Sequence, residues 1–440
     1  MNPARRSWLG RLARGAAAGA AWAGWAARAS AAPAPDEPAS RAAGPQPRSS
    51  AGASTAAATS PAPPATAPAT SASGIRRGRL LTFPRDHGAH VAARTEWWYV
   101  TGWLTDRGVP EGAPTHGFQV TFFRSRTAVA AGAANAAPTA APPASPPAPE
   151  RGPGRFEPRH LLFAHAAVTE LATGRHLHAQ RIARWNGEPA SGPDRAALDD
   201  ADVRLGRWQL ARDAASPWQA SRWQAQVRAD GFRLAGALQA TQAPLLQGDA
   251  GFSRKGPDER QASHYYSLPQ IDARLTLELD GRALALAGRA WLDHEWSDEL
   301  LHPQAVGWDW IGINLFDGGA LTAFRLRRAD GSTLWASGSA RAAAPASGTR
   351  SFEPPEVVFE PGRRWRSAAT NAAYPVVWRV ETPAGRHTVR ALLDGQELDS
   401  RTSTGAIYWE GLAELLDEGG RRIGLGYLEM TGYAAPIRLG

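Results

Sequence analysis

Short runs of aromatic and β-branched residues, separated by turn signals, make up most of this chain after residue 94. Their apolar residues recur with a period of two, the spacing of a half-buried strand; a helix needs a period of about 3.6. Strands are expected at 95–104, 115–126, 160–171, 203–211, 222–229 and 232–240. Asp280-Gly281, between runs at 275–279 and 283–287, is the strongest short hairpin signal, because a tight turn of the right twist needs positive φ at both positions. Asp317-Gly318-Gly319 plays the same part between 308–315 and 320–327. Further runs lie at 376–380, 387–393, 406–415 and 422–430, and no segment carries a long amphipathic helical pattern. The expected fold class is all-β, a sandwich or a barrel.

Two stretches do not belong to that pattern. Residues 32–74 are Ala, Pro, Ser and Thr with almost nothing to bury, the composition of a disordered linker. Residues 127–154 are similar and lie between two strand-like runs, as an insertion at an exposed hairpin tip would. Ahead of the linker, Arg5, Arg6 and Arg11 precede a Gly/Ala-rich stretch, and Ala29-Ser30-Ala31 has the small-x-small form of a signal-peptidase site. Residues 1–31 therefore read as an export signal. The run RRSWLGR, the weak apolar region and Arg28 favour a twin-arginine route. The alternative is an ordinary basic tail. The expected location is periplasmic or secreted.

Charge and cysteine content exclude several functions. The net charge is +8, but residues 1–75 account for +5 of it and the other 365 residues for only +3. Nucleic-acid binding needs a concentrated basic face, which that balance does not provide. No cysteine is present, so disulfides, thiolate metal sites and cysteine nucleophiles are ruled out. No apolar run reaches the length of a transmembrane helix in the mature chain. No cofactor-binding signature is present.

Tryptophan is the composition feature that bears on function. Fifteen of the 18 lie after residue 75, where they either fill a core or line an apolar cavity. Three blocks gather aromatic and ionisable residues: FPRDHGAHVAARTEWWY at 83–99, SHYYSLPQ at 263–270 and WLDHEW at 291–296. On a strand Glu96 and Trp98 share one face, and Trp97 and Tyr99 the other. Burying ionisable groups among aromatics is expensive unless they are paired, so these blocks mark either a site or an ion-pair network.

The runs FPRDHGAH, TEWWYVTGWL, YYSLPQ, WLDHEWSDELL and YLEMTGYA resemble the hydroxyneurosporene synthase (carotenoid 1,2-hydratase) superfamily. The resemblance is to its AttH-like, lipocalin-like branch, whose members are often labelled predicted secreted hydrolases. It covers about residue 80 to 435. It implies two consecutive lipocalin-like β-barrel domains, 75–272 and 273–440, with the site in the cleft where they meet. The hydratases of this superfamily add water across an isoprenoid double bond. That chemistry needs a carboxylic acid kept protonated by an apolar site and aromatic faces that tolerate a carbocation.

In those hydratases the acid is an aspartate two residues after an aromatic, with a His-x-aromatic pair upstream. The resemblance thus assigns Asp293 as proton donor after Trp291, with His264 and Tyr266 as the upstream pair. Tyr and Trp are exchanged between the two pairs relative to the carotenoid enzymes, which puts carotenoid specificity in doubt. Trp97, Trp98, Tyr99, Tyr265, His294 and Trp296 are the expected ligand-binding residues. The expected ligand is a hydrophobic isoprenoid or lipid.

Other classes remain open. Asp293 could instead pin the domains together through Arg94 or His87. His87-x-x-His90 with Asp293, His294 or Glu295 would suit zinc or iron(II). No GxSxG elbow supports a serine hydrolase. The non-catalytic alternative is a periplasmic lipid or isoprenoid carrier, and the association of relatives with export-type ABC transporters makes such a transporter the expected partner.

Overall fold

A computed structural model describes residues 74–110, 113–127, 158–188, 192–299, 301–344 and 348–437. The export signal and nearly all of the linker and the 127–154 insertion lie outside them. The expected all-β class holds. The described part contains two large antiparallel sheets and a small ribbon, with helix limited to three short 3₁₀ turns.

Four long strands open the first sheet: β1 (Thr95–Thr105), β2 (His116–Arg126), β3 (His160–Glu170) and β4 (Arg175–Trp185). Five shorter ones follow, β5 (Arg195–Ala196), β6 (Asp202–Leu205), β7 (Trp208–Arg212), β8 (Arg222–Arg228) and β9 (Phe232–Gln239). The short β10 (Leu245–Leu246) and β11 (Phe252–Arg254) lead into the long hairpin of β12 (Ala262–Leu279) and β13 (Arg282–Ser297). The spatial order is 4-3-2-1-13-12-9-8-7-6-5, with β10 and β11 both paired to β12. The sheet curls until its ends meet. Arg181 on β4 packs over the Trp208 ring of β7 and donates to the Arg228 carbonyl on β8. Inside the curl lies a core that includes Trp98, Trp208, Trp223 and Trp296.

The second sheet begins with β14 (Gly307–Leu315), β15 (Ala320–Arg327), β16 (Thr333–Arg341), β17 (Thr349–Phe352) and β18 (Val358–Pro361). A two-stranded ribbon, β19 (Arg364–Arg366) with β20 (Ala373–Pro375), interrupts it. It is completed by β21 (Val377–Thr382), β22 (Gly385–Ala391), β23 (Glu397–Ser400), β24 (Ala406–Leu416) and β25 (Arg422–Thr431). Its order is 17-16-15-14-25-24-22-21-18, with β23 on β24. Two consecutive barrel-like sheets are thus present, as the resemblance implies. Residue 272, the expected boundary, falls inside β12, and the chain passes from one sheet to the other between Ser297 and Gly307. The Asp280-Gly281 hairpin requires this, because it keeps β13 paired to β12 in the first sheet.

That hairpin has the predicted turn, with φ of 51° at Asp280 and 75° at Gly281. Its β12 arm is broken by a bulge between Leu268 and Ile271, where Gln270 takes a φ of 56°. The bulge reaches the second sheet. Gln270 N donates to Asn314 Oδ1 (2.8 Å), and Gln270 Nε2 donates to the Leu315 and Gly319 carbonyls (2.8 and 2.7 Å). Asn314 Nδ2 returns a bond to the Ala290 carbonyl at 3.0 Å. Among the described residues no helix is long and apolar enough to cross a membrane.

Candidate functional site

β1, β12 and β13 run side by side, so their pleats set the site. Tyr99 stands opposite Asp293, Trp97 opposite Glu295, and Ser267 opposite Asp293 from the other neighbour. Because side chains alternate along a strand, these residues share one face, and Glu96, Trp98, His264, Tyr266, His294 and Trp296 share the other. The Asp293 face is turned toward the second sheet. The Glu96 face is turned inward, to the core of the first.

Between the sheets lies a cavity of about 810 Å³. Trp97, Tyr99, Tyr265 and Asp293 line it from the first sheet, and Trp308, Trp310 and Phe324 from the second. Trp291 backs this wall, its ring edge-on to Trp310 with centroids 6.3 Å apart. Tryptophan thus serves both expected purposes, filling the first core and walling the cavity.

Asp293 is 3% exposed and held by three donors. Ser267 Oγ and Trp291 Nε1 donate to Oδ1 at 2.5 and 2.7 Å, and Tyr265 Oη donates to Oδ2 at 2.8 Å. Tyr265 Oη in turn accepts from Trp310 Nε1 (3.2 Å), and Ser267 Oγ accepts from Gln247 Nε2 (2.8 Å). Burial pushes the Asp293 carboxyl up to about 7, against the pull of the three donors and with Glu295 adding to the rise. None of its bonds is to Arg94 or His87. The carboxyl stands in the cavity wall as a neutral-range acid, not as an ion-pair lock.

Beside it, Lys255 Nζ lies 2.9 Å from Glu295 Oε1 and over the rings of Phe324 and Tyr265, 4.2 and 4.7 Å from their centroids. Across the cavity, Glu410 on β24 faces Glu429 on β25 in direct register. Burial pushes Glu429 up to about 7; the Trp308 indole opposes the rise, and Asp293 and Glu295 add to it. Burial pushes Glu410 well above the usual carboxylate range, and Glu429 raises it further.

The other face of the same strands carries a closed network. Glu96 Oε2 accepts from Arg124 Nε at 2.8 Å, and its Oε1 lies 2.8 Å from His90 Nδ1 and 3.0 Å from His294 Nε2. His90 Nε2 meets Asp86 Oδ1 at 3.0 Å, and Arg79 donates to that same oxygen at 2.8 Å. His87 Nδ1 lies 2.6 Å from Tyr266 Oη. The alternative metal set of His87 and His90 with Asp293, His294 or Glu295 is not brought together through those acids, which point the opposite way. His90, Glu96 and His294 do bring their ligand atoms within 4.8 Å of one another. There Arg124 neutralises Glu96 through Oε2, and Oε1 is shared by the two imidazoles as part of the hydrogen-bonded network.

The expected catalytic group is thus divided. Asp293 and Trp291 are joined by Tyr265, Trp97 and Tyr99 at or behind the cavity wall. His264 and Tyr266 stand on the opposite face, so neither can orient Asp293. His264 lies against Trp296 (centroids 5.6 Å apart), and burial lowers its pKa to about 4. Trp98, His294 and Trp296 are core residues, not cavity residues. Sequence reasoning missed Ser267, Lys255, Trp308, Trp310, Glu410 and Glu429. Two of these had a visible signal. Lys255 is the single lysine of the chain, and Glu410 interrupts the apolar run AIYWEGLAEL.

Two curled antiparallel sheets enclosing an aromatic, acid-bearing cavity define a lipocalin-like β-barrel architecture. A family model described as AttH-like matches residues 75–433, and the chain belongs to that family. A candidate AttH protein of known crystal structure from Nitrosomonas europaea is 41% identical, with a TM-score of 0.69. That match covers 82% of this chain and 99% of that one. Kievitone hydratase from Nectria haematococca shares the fold at 14% identity and a TM-score of 0.57, over 83% of this chain and 96% of that one. No curated protein matches the chain.

Proposed function

We propose that this is an exported protein that binds a hydrophobic isoprenoid or lipid between its sheets and adds water across a C=C bond of it. Asp293 is the proton donor. One observation carries the reading: a carboxyl that burial pushes up to about 7 stands in the wall of a large aromatic cavity. Such a group keeps a proton near neutral pH and is strong enough to give it up. Asp293 transfers its proton to one alkene carbon, forming the C–H bond and leaving positive charge on the other carbon. Water attacks that carbon, and its surplus proton returns to the Asp293 carboxylate. The aromatic walls stabilise the cation meanwhile. The fold shared with a protein named as a hydratase supports the reading, and so does the AttH-like membership.

The test begins with protein purified from its own source, organic extraction and native mass spectrometry. The extracted ligand is then incubated with fresh protein and with Asp293→Asn. A product heavier by one water is expected, with a loss of at least about 100-fold in rate for the variant at unchanged melting temperature. A ligand returned chemically unchanged by the native protein would sink the hydratase reading and leave the carrier. The carrier reading is favoured by one observation, that both Asp293 oxygens already hold protein donors. It pairs with an ABC transporter as partner. Export is tested by fusing residues 1–31 to a reporter and following its appearance in the periplasm. Retention in the cytoplasm would overturn it.

A further inference from the structure

Glu410 and Glu429 have a cost that proton transfer from Asp293 does not explain. Like charges directly opposed across two strands destabilise a sheet, and burial increases the penalty. Among the described residues neither carboxyl has an ion pair. Farther along β24, Glu414 is treated differently, with Arg390 and Arg422 both bound to it. Glu410 is 2% exposed and Tyr99 7%; both line the cavity, Glu410 Oε1 has no hydrogen bond of ordinary geometry among the described residues, and the Tyr99 hydroxyl beside Glu410 supplies no counter-charge. The arginines that line the cavity stand elsewhere. Arg124 is committed to Glu96, and Arg94 and Arg126 flank the ends of β1 and β2. The cavity already solvates one cation, the Lys255 ammonium, between Glu295 and two aromatic rings.

We propose that the cavity takes a ligand carrying positive charge on an apolar chain, with that charge placed between Glu410, Glu429 and the aromatic walls. The inference rests on the cavity being the ligand site, as proposed above. A cation there offsets the like-charge penalty and supplies the counter-charge that the Tyr99 hydroxyl and the Trp308 indole do not. The transient carbocation of alkene hydration meets that description, and a hydrophobic tertiary ammonium is its stable counterpart.

Three probes with one tail test this: octyldimethylamine, its neutral isostere octyldimethylcarbinol, and the matching anion octyldimethylacetate. Affinities are read from quenching of the cavity tryptophans at mildly alkaline pH. The amine is expected to bind at least about tenfold more tightly than the carbinol, and the acetate most weakly. In the double variant Glu410→Gln, Glu429→Gln the advantage of the amine should collapse while the carbinol keeps its affinity, which also shows that the variant is folded. Calorimetry in buffers of different ionisation enthalpy should show proton release for the amine only, as Glu410 ionises. Equal affinity for amine and carbinol in the native protein, or an amine advantage that survives the double substitution, would overturn this inference alone. Binding of none of the three would overturn it together with the cavity as ligand site.

Discussion

The two faces of β1, β12 and β13 carry the same kinds of residue and treat them in opposite ways. On the core face Asp86, Glu96, His90, His294 and Arg124 are knitted together, with each carboxylate bound by at least two groups. On the cavity face Asp293 is given donors but no counter-charge, and the facing wall adds Glu410 and Glu429. The core face holds its carboxylates ionised; on the cavity side Glu295 is paired with Lys255, while Asp293, Glu410 and Glu429 are pushed toward the neutral acid. The closed Glu96 network and the unpaired acid Asp293 are thus separated by a single step across the strands.

Substitution should expose that contrast most strongly. Glu96→Ala strands Arg124 without its counter-charge and removes the acceptor of both histidines, so a loss of about 3–5 kcal/mol in unfolding free energy is expected. Glu429→Gln removes a carboxyl that has no ionic partner, and at about pH 4, where that carboxyl is protonated in the folded chain and largely so in the unfolded one, stability should stay within about 1 kcal/mol of the parent. Denaturant unfolding of the two variants checks both. Equal losses would show that the faces are not different in kind.

The faces should also respond to pH in opposite directions. Burial raises Asp86, but bonds from His90, the Thr82 backbone and Arg79 outweigh it and bring its pKa down to about 2. The stability it contributes is present above the ordinary carboxylate range and lost as pH falls toward about 2. Asp293 and Glu429 behave inversely. Their folded forms keep protons that the unfolded chain has released between about pH 4 and 7, so stability falls as pH rises through that window. Each displacement corresponds to a cost on the order of 3–4 kcal/mol once the group is forced to ionise. Asp293→Asn with Glu429→Gln should flatten the slope between about pH 4 and 7, and Asp86→Asn only the acid limb, in urea titrations across pH. A slope unchanged by the double substitution would mean that the cavity acids are ionised in the fold.

This division also explains what could be read from the sequence. Strand positions followed from alternation and turn chemistry, and the Asp280-Gly281 hairpin was visible because its backbone demands those residues. Asp293 stood out because an acid between Trp291 and Trp296 must be explained. Alternation had already separated Glu96 from Trp97, and the same rule applied to SHYYS separates Tyr265 and Ser267 from His264 and Tyr266. What alternation does not give is which face meets which sheet, since both are buried and both carry ionisable residues. Nor could it show that Glu410 and Glu429 arrive opposite Asp293. That pairing depends on the packing of sheets distant in sequence.

The smallest expected effect is the most specific. Ser267 Oγ donates to Asp293 Oδ1 and accepts from Gln247, whose Oε1 accepts from Ser339 Oγ on β16 at 2.7 Å. The acidity of Asp293 is thereby wired to the second sheet. The Ser267 bond favours the ionised carboxylate, so Ser267→Ala should move Asp293 upward from about 7, by an amount set by a net hydrogen bond of about 1 kcal/mol. The protonated carboxyl band in the infrared, lost in Asp293→Asn, gives the titration directly. Ser267→Thr, which keeps the hydroxyl, should titrate like the parent. If Ser267→Ala leaves the Asp293 titration in place but lowers the melting temperature, the hydroxyl only ties the sheets together. A shift in the titration would establish that the second sheet sets the strength of the acid on the first.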